Sequence, residues 1–453
     1  MTVVTFLALR SPPPPLPVPA QFGQLDPQVR AYLTQLAQDA AAAPRNGSRR
    51  AQLGLAFAVN GLWAEAQICF ADATKLGDRS PLPALYHAIS RQELGDLAGS
   101  ISELQDLTQK HPGFVPAWHR LGLALLAQGD AARAAAAFSE VTHRAPGEWR
   151  GWAGLGEARL KEGQANLAVG PLQHAVQLDP LARSARYLLG QALRASGRSS
   201  EAGRELAAGV GETIGPMPDE WSEAALGHMK GLPDQFEQTD SLLAEGQFQA
   251  ALAILQEALR FHPTNRTVIQ RMAAALTVAG RPQEALALIQ PSLAREPDQV
   301  ELLLTAAHAA ATADQAAVAG RYVQRAKELA PQLAETHVAL ANWALAKGQD
   351  QEAAEALAQA VRLAPQNVAL WLQYGDIQWH NLQQPEAALT SFTKAQELDP
   401  IHPAALERLA GVLLALGRVS QARPWVEELR HLMPGYPGLA SLERALAAAS
   451  SSR

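Results

Sequence analysis

Apolar and small side chains recur along most of the chain with the spacing of amphipathic helices. The stretch from Trp118 to Leu125 places its apolar and small residues on one helical face. Gly129-Asp130 breaks that pattern, and a second amphipathic stretch follows and closes at Pro146. The pattern predicts a unit of two helices joined by a tight turn and ended by a proline.

These units return at a nearly constant interval. Successive closing prolines are separated by 34 or 35 residues in every case but one, where the separation is 83. The prolines are Pro146, Pro180, Pro263, Pro297, Pro331, Pro365, Pro400 and Pro434. One helical hairpin of this size cannot bury its own apolar face, so the period predicts hairpins stacked on their neighbours.

Within each period the residues resemble the tetratricopeptide-repeat (TPR) family. The family has a Leu-Gly pair in the first helix, such as Leu121-Gly122, and a small residue early in the second. Eleven units align, and the small residue is alanine in ten of them: Ala66, Ser100, Ala134, Ala168, Ala202, Ala251, Ala285, Ala319, Ala353, Ala388 and Ala422. The resemblance implies an all-α fold, an α-solenoid forming a right-handed superhelix, and a protein of bacterial type.

The repeats divide the chain into six parts. We expect a disordered Pro-rich lead-in at 1–20, an N-terminal capping helix at 21–46, five repeats at 47–214, a linker or single helix at 215–231, six repeats at 232–436, and a C-terminal capping helix and tail at 437–453. The part at 215–231 is interpreted either as a hinge or groove-entering loop, or as a register insertion. The insertion is preferred, because linkers are commoner than inserted binding loops.

Composition supports closely packed helices. Alanine accounts for 90 residues, about a fifth of the chain, and it is both small and the best helix former. The formal charge is −6, but residues 1–214 carry +2 and residues 215–453 carry −8. A nucleic-acid partner is not expected, because its binding requires a clustered basic excess.

Candidate chemistry is sparse. The single cysteine, Cys69, excludes an intramolecular disulfide, and its place beside Phe70 predicts a core residue. The glycine-rich run 151–156 falls on repeat packing positions, and the histidines show no metal-ligand spacing. We therefore expect no catalysis, no cofactor and no metal. An enzyme remains the third alternative, since repeat folds do not exclude grafted sites.

The resemblance implies that the first helix of each repeat lines the inner groove. The candidate peptide-binding residues are His119, Arg120, Arg150, Glu157, Tyr187, Gln191, Arg194, His308, Asn342, Asp376 and Trp379. The N-terminal group leans basic and the C-terminal group acidic, so an extended or helical peptide carrying acidic groups is one interpretation. Ordinary solvated polar decoration is the other.

Tryptophans are a second set of candidates. Trp118, Trp152 and Trp371 occupy the first large position of their repeats and are expected in the core. Four tryptophans outside that register are better surface candidates, with half-buried packing preferred over ligand stacking: Trp149, Trp221, Trp379 and Trp425.

The expected function is a protein–protein interaction scaffold that binds a peptide or partner protein. The alternative is a structural or self-associating assembly factor of the bacterial envelope, with a possible homo-oligomer. Chaperone-tail binding is disfavoured, because no repeat offers the Lys and Asn pair which that use requires in the family. No apolar run reaches membrane-span length. A cytoplasmic location is preferred, while Val18 and Ala20 would suit an export cleavage site.

Overall fold

The computed structural model describes residues 12–451, and this range contains helices, turns and coil without a β-strand. The expected all-α fold class is confirmed. Each repeat predicted from the 34-residue period corresponds to one pair of helices in the structure.

The helices follow one another with short connections, and α2–α11 and α13–α24 form eleven pairs. Their bounds are α1 Pro27–Ala42, α2 Gly47–Val59, α3 Trp63–Lys75, α4 Leu82–Glu93, α5 Leu97–Lys110, α6 Val115–Gln128, α7 Ala131–Arg144, α8 Trp149–Lys161, α9 Ala165–Leu178, α10 Arg183–Ala195, α11 Ser199–Ala208, α12 Ser222–His228, α13 Leu232–Ala244, α14 Phe248–Phe261, α15 Arg266–Val278, α16 Pro282–Arg295, α17 Val300–Thr312, α18 Ala316–Leu329, α19 Ala334–Ala346, α20 Asp350–Leu363, α21 Val368–Asp376, α22 Pro385–Leu398, α23 Pro403–Ala415, α24 Val419–Leu432 and α25 Leu439–Ser451. A 3₁₀ turn at Phe22–Gln24 precedes α1, and a π-helical turn at Ile377–Asn381 extends α21.

The turn inside each pair requires a left-handed backbone. In the third repeat, Gly129 has φ 88° and ends α6, and the side chain of Asp130 then accepts a hydrogen bond from the N–H of Arg133 to begin α7. A residue with positive φ stands at this point in all eleven pairs: Gly61, Gly95, Gly129, Gly163, Gly197, Gly246, Gly280, Asp314, Gly348, Gln383 and Gly417. The left-handed residue thus marks the same point of the turn in every pair.

Small residues let the paired helices approach. The eleven alanine or serine positions early in the second helices are all buried, and nine of the ten alanines have no exposed surface. The Phe138 ring fills the space that two glycines leave, because a Cβ added at Gly122 would lie 2.7 Å from its Cζ, and one at Gly154 would also collide with the ring. Packing this close explains the Leu-Gly pair of the first helix.

The first-position tryptophans are only partly buried, which differs from the core position expected for them. The indole N–H of Trp118 donates to the carbonyl of Pro112, at 3.0 Å. Trp152 and Trp371 make the same bond, at 2.8 Å, to the proline six residues before them. The indole thus connects each of these helices to the proline that closes the preceding repeat, and one ring edge stays at the surface.

Contacts divide the chain into two compact units. The first comprises the chain up to Leu178 together with Thr213–Gln235, and the second comprises Asp179–Glu212 together with the chain from Phe236 onward. This division differs from the array boundaries expected at 214 and 232. The fifth repeat is grouped with the C-terminal repeats, whereas residues 215–231 are grouped with the N-terminal ones.

Within the second unit, the fifth repeat is held against the end of the tenth repeat and against the eleventh. Arg183 pairs with Asp399 at 2.6 Å, and Arg204 pairs with Glu428 at 2.6 Å. Ala208 belongs to the same apolar cluster as residues of the last repeat, among them Ile401 and Leu406. These contacts account for the grouping of the fifth repeat.

Part of the Pro-rich lead-in also packs on the repeats. The guanidinium of Arg50 in α2 donates to the carbonyls of Pro14 and Pro15, at 2.7 and 3.0 Å, and pairs with buried Asp72 at 2.9 Å. This differs from the disorder expected over 1–20, of which residues 1–11 lie outside the described part. Helix α1 follows, and the side chain of its N-cap, Asp26, accepts from the N–H of Gln28.

Candidate peptide-binding groove

First helices of neighbouring repeats lie side by side in the first compact unit, where α2 contacts α4 and α6 contacts α8. We call the face that they share the N-terminal groove. Residues 215–231, which we call the crossing segment, lie on this face. The segment forms hydrogen bonds with four side chains of the first unit: His119 in α6, Tyr86 in α4, Asn60 at the end of α2, and Tyr32 in the capping helix α1.

His119 in α6, which contacts the beginning of the crossing segment, is fully buried. Its Nδ1 accepts a hydrogen bond from the backbone N–H of Met217 at 3.3 Å, and its ring meets Phe138 edge-on with 5.5 Å between centroids. Burial, followed by the charges of Arg120 and Arg150, lowers the pKa of His119 to about 3. The imidazole is therefore neutral near pH 7 and binds a backbone N–H rather than an acidic group.

Tyr86 in α4 contacts two side chains of the crossing segment. Its hydroxyl donates to both carboxylate oxygens of Asp219, at 3.1 and 3.3 Å. Burial, together with the charge of Asp219, raises the pKa of Tyr86, so the hydroxyl keeps its proton. The ring of Trp221 lies 5.1 Å from the Tyr86 ring and stacks on Phe70 at 6.0 Å. A carboxylate and an indole thus meet one aromatic residue of the groove.

Arg120, the neighbour of His119, supplies positive charge at the same place. It is partly buried, and burial lowers its pKa. The nearby groups Tyr86 and Asp219 raise the pKa of Arg120 and so oppose the effect of burial. Arg120 therefore lies within electrostatic range of the Asp219 carboxylate. A partly desolvated guanidinium beside a carboxylate interacts more strongly than an exposed pair.

The end of α12 makes the remaining contacts. The hydroxyl of Tyr32 in α1 lies 2.5 Å from Nδ1 of His228, and the side chain of Asn60 donates to the His228 carbonyl at 2.9 Å. The ammonium of Lys230 lies 5.2 Å from the centre of the Tyr32 ring. Burial, followed by the charge of Lys230, lowers the pKa of His228, which favours a neutral imidazole in its hydrogen bond with the Tyr32 hydroxyl.

Two other expected residues of the first unit lie on α8. Arg150 pairs with Glu148 at 2.8 Å, and its guanidinium lies 4.8 Å from the centre of the Trp149 ring. Glu157 is partly buried, and burial raises its pKa against the opposing charge of Lys161. The structure therefore puts Arg120, Arg150 and Glu157 in one unit, with Arg120 within electrostatic range of Asp219 in the crossing segment.

The remaining expected residues belong to the second unit. Tyr187 is partly buried, and Gly209 lies against its backbone so closely that a Cβ there would collide with it. Gln191 is partly buried and Arg194 is exposed. His308 is exposed and Asn342 is partly buried.

Asp376 and Trp379 make defined contacts at the tenth repeat. The Asp376 carboxylate accepts one bifurcated hydrogen bond from the Nε–H of Arg408, with its two oxygens at 2.8 and 3.0 Å. Trp379 stacks on His380 at 4.6 Å and meets Phe392 edge-on at 6.1 Å. Intramolecular partners thus occupy both side chains, and half-buried packing describes Trp379.

Three residues that hold the crossing segment were not among the expected ones: Tyr32, Asn60 and Tyr86. A signal for Tyr86 exists in the sequence, since it precedes Arg120 by one 34-residue period and so holds the same repeat position. Tyr32 precedes the first repeat and Asn60 follows its first helix, so periodicity does not point to either of them.

Two further searches cover the described residues. Within residues 12–451, no cluster of three or more His, Cys, Asp or Glu side chains is arranged to hold a metal ion. In the same range, no helix has both the length and the hydropathy that a bilayer crossing requires.

Comparison with known proteins identifies the family. Two family models, both described as tetratricopeptide repeat, match residues 85–148 and 153–213, and residues 242–307 and 382–446. Together the matches cover more than half of the chain. The chain is a tetratricopeptide-repeat protein. No curated protein matches the sequence of this TPR protein.

Three solved structures illustrate what the TPR protein is similar to. Yeast Tom70 has 12% identity and a TM-score of 0.41, covering 89% of this chain and 95% of that one. The APC/C hetero-tetramer Cut9–Hcn1 has 15% identity and a TM-score of 0.40, covering 95% and 87%. A thermophilic TPR protein of Thermus thermophilus, TTC0263, has 22% identity and a TM-score of 0.31, covering 48% and 98%. Similarity at this level carries no functional inference.

Proposed function

We propose that this TPR protein is an interaction scaffold that binds a segment of a partner protein in the N-terminal groove, across the first helices of repeats one to three. The repeats of both halves support the general role of a protein-interaction scaffold. The choice of groove rests on one observation, namely that a non-repeat stretch of polypeptide already lies on this face.

The contacts in the groove are of the kind that peptide recognition uses. Side chains of the groove bind backbone groups at both ends of the crossing segment, where His119 accepts from the N–H of Met217 and Asn60 donates to the His228 carbonyl. Backbone bonds of this type are independent of the side chains of the ligand and provide general affinity. Between them, Tyr86 and Phe70 provide an aromatic surface that selects side chains.

Charge favours an acidic segment. Arg120 and Arg150 are both close enough to His119 to lower its pKa, so two cations lie at this end of the groove. Arg150 is already paired with Glu148, whereas Arg120 interacts electrostatically with the Asp219 carboxylate, which opposes the lowering of its pKa by burial. Complementary charge at this position speeds association and discriminates between partners.

Charge reversal tests the proposal. The full-length chain is immobilised, and proteins retained from an extract of its source organism are identified and quantified. We expect Arg120→Glu to lose proteins that the wild type retains. Arg133→Glu is the matched control, since Arg133 lies on the second helix of the same repeat, is half exposed and pairs with Asp130. If Arg120→Glu retains the same proteins in the same amounts, the N-terminal groove is not the binding site.

A further inference from the structure

We infer that the crossing segment is an internal ligand of the N-terminal groove, and that the external partner presents the same recognition element, an acidic residue followed two positions later by tryptophan or another large aromatic residue. The inference rests on the proposed function and specifies its partner. It also implies that the partner competes with the chain's own residues 215–229.

The recognition element is a single pre-formed turn. One carboxylate oxygen of Asp219 accepts from the N–H of Trp221 at 2.8 Å, and the N–H of Asp219 donates to the hydroxyl of Ser222 at 2.8 Å. These local bonds hold the carboxylate and the indole on the same side of the turn. Both then reach Tyr86, the carboxylate through its hydroxyl and the indole through its ring. A ligand needs the acid and the aromatic residue at this spacing to make both contacts.

The segment is held by few side chains, unlike the helices of the repeats. None of the residues of α12 is buried, and Leu226 is 51% exposed. Glu220 and Glu223 are exposed as well. Trp221 and Ala225 pack on the edge of the apolar cluster of the first repeat. Displacing the segment therefore breaks the contacts of Asp219, Trp221 and His228 and uncovers that edge, while the paired helices of the repeat stay in contact with each other. The energetic cost of opening the groove is small compared with that of unfolding a repeat.

Covalent attachment makes the segment an effective competitor. A short tether keeps an internal ligand at an effective concentration of about 1 mM, so even a weak contact fills the groove most of the time. The apparent affinity for an external ligand then falls in proportion to the open fraction, by about tenfold for 10% open and about a hundredfold for 1% open. Weakening the internal contact restores the affinity.

The experiment measures binding of a fluorescein-labelled peptide of residues 215–229 to the full-length chain by fluorescence anisotropy. We expect the double variant Asp219→Ala and Trp221→Ala to bind this probe at least about tenfold more tightly than the wild type. The matched control is Glu220→Ala with Glu223→Ala, which alters exposed acids of the same segment and leaves the affinity unchanged. A probe with Trp221→Ala should not bind any of these chains.

Two additional variants keep the test decisive if the double variant does not fold, and they show whether the probe binds at Tyr86. Asp219→Asn keeps the shape of the side chain while removing its charge, and it should increase binding in the same direction by a smaller factor. Adding Tyr86→Phe, which removes one hydroxyl, to the double variant should weaken probe binding again. Circular dichroism and the melting temperature establish that each variant is folded.

The inference is overturned if folded Asp219→Asn and the double variant bind the probe no more tightly than the wild type. It is also overturned if the segment docks on a second copy instead. Light scattering would then show a wild-type dimer that dissociates in the double variant. Failure of the proposed function gives a different result. In that case the double variant binds the probe more tightly than the wild type, yet Arg120→Glu retains the same extract proteins as the wild type. If Arg120→Glu loses extract proteins but the double variant binds the probe no more tightly than the wild type, only the inference fails.

Discussion

The glycine of the Leu-Gly pair in the third repeat makes a test of the packing that builds the solenoid. Gly122 lies in α6, and a Cβ built on it would be 2.7, 2.8 and 2.8 Å from three ring carbons of Phe138. Favourable carbon–carbon contacts are about 3.5–4.0 Å, so the added methyl group is about 1 Å too close. The ring has little room to retreat, because it is fully buried and a Cβ built at Gly154 in the next repeat would also lie within 2.6 Å of three of its carbons.

The expected change in the free energy of unfolding for Gly122→Ala follows from two opposing effects. Replacing glycine by alanine within a helix stabilises it by about 1 kcal/mol through lower chain entropy and better propensity. Overpacking in a close-packed core costs about 1–3 kcal/mol. We therefore expect Gly122→Ala to change the free energy of unfolding by between about 0 and −2 kcal/mol. Gly170→Ala, in the exposed face of α9 where nothing lies within 4 Å of the new methyl group, should gain about 0.5–1 kcal/mol.

The assay is urea unfolding followed by circular dichroism at 222 nm, with the two variants compared under identical conditions. The double variant Gly122→Ala with Phe138→Leu provides a further check. A smaller side chain at 138 relieves the collision, so the two changes should couple by at least about 0.5 kcal/mol in a double-mutant cycle. If Gly122→Ala stabilises the chain as much as Gly170→Ala does, close packing does not explain the glycine.

Three further predictions concern single residues. Gln383 takes a left-handed φ of 56° where most repeats have glycine, so Gln383→Gly should raise the urea midpoint by the equivalent of about 0.5–1 kcal/mol, and an unchanged or lower midpoint would contradict the strain argument. Burial raises the pKa of Cys69 to about 12, so a thiol reagent at pH 8 should label it only after unfolding, and fast labelling of the native chain would show that the thiol is not buried. The pKa of His119 falls from 6.5 unfolded to about 3 folded, so the unfolded chain binds the extra proton and the free energy of unfolding decreases as the pH falls below about 6.5. Between pH 7 and 5.5, urea midpoints should fall more steeply for the wild type than for His119→Gln, and equal slopes would refute a buried neutral His119.

The local sequence pattern was enough to predict the helix pairs of the repeats. Each helix pair is specified by residues within one 34-residue period: a left-handed turn, a capping side chain such as Asp130, and a small residue early in the second helix. Contacts between neighbouring repeats also follow the period, so stacking is predictable from the same pattern. The extra residue of the tenth repeat was visible as a separation of 35, although its form, a π-helical turn at Ile377–Asn381, was not.

The position of the crossing segment was not predictable in this way. Its contacts join Tyr86 to Asp219 and Tyr32 to His228, which are 133 and 196 residues apart and follow no period. The preferred interpretation of 215–231 was a register insertion, because linkers are commoner than inserted binding loops. Nothing local in the segment indicates where it packs.

Periodic order and non-periodic docking therefore have different origins. Hydrogen bonds and small-residue packing within one hairpin act over a few dozen residues, and they are repeated eleven times, so even a single sequence shows them clearly. The docking of Asp219 and Trp221 on the N-terminal groove depends on which surfaces are left uncovered after the repeats have stacked. That information exists only once the helices are in place, and for this reason only the tertiary structure showed where the crossing segment packs.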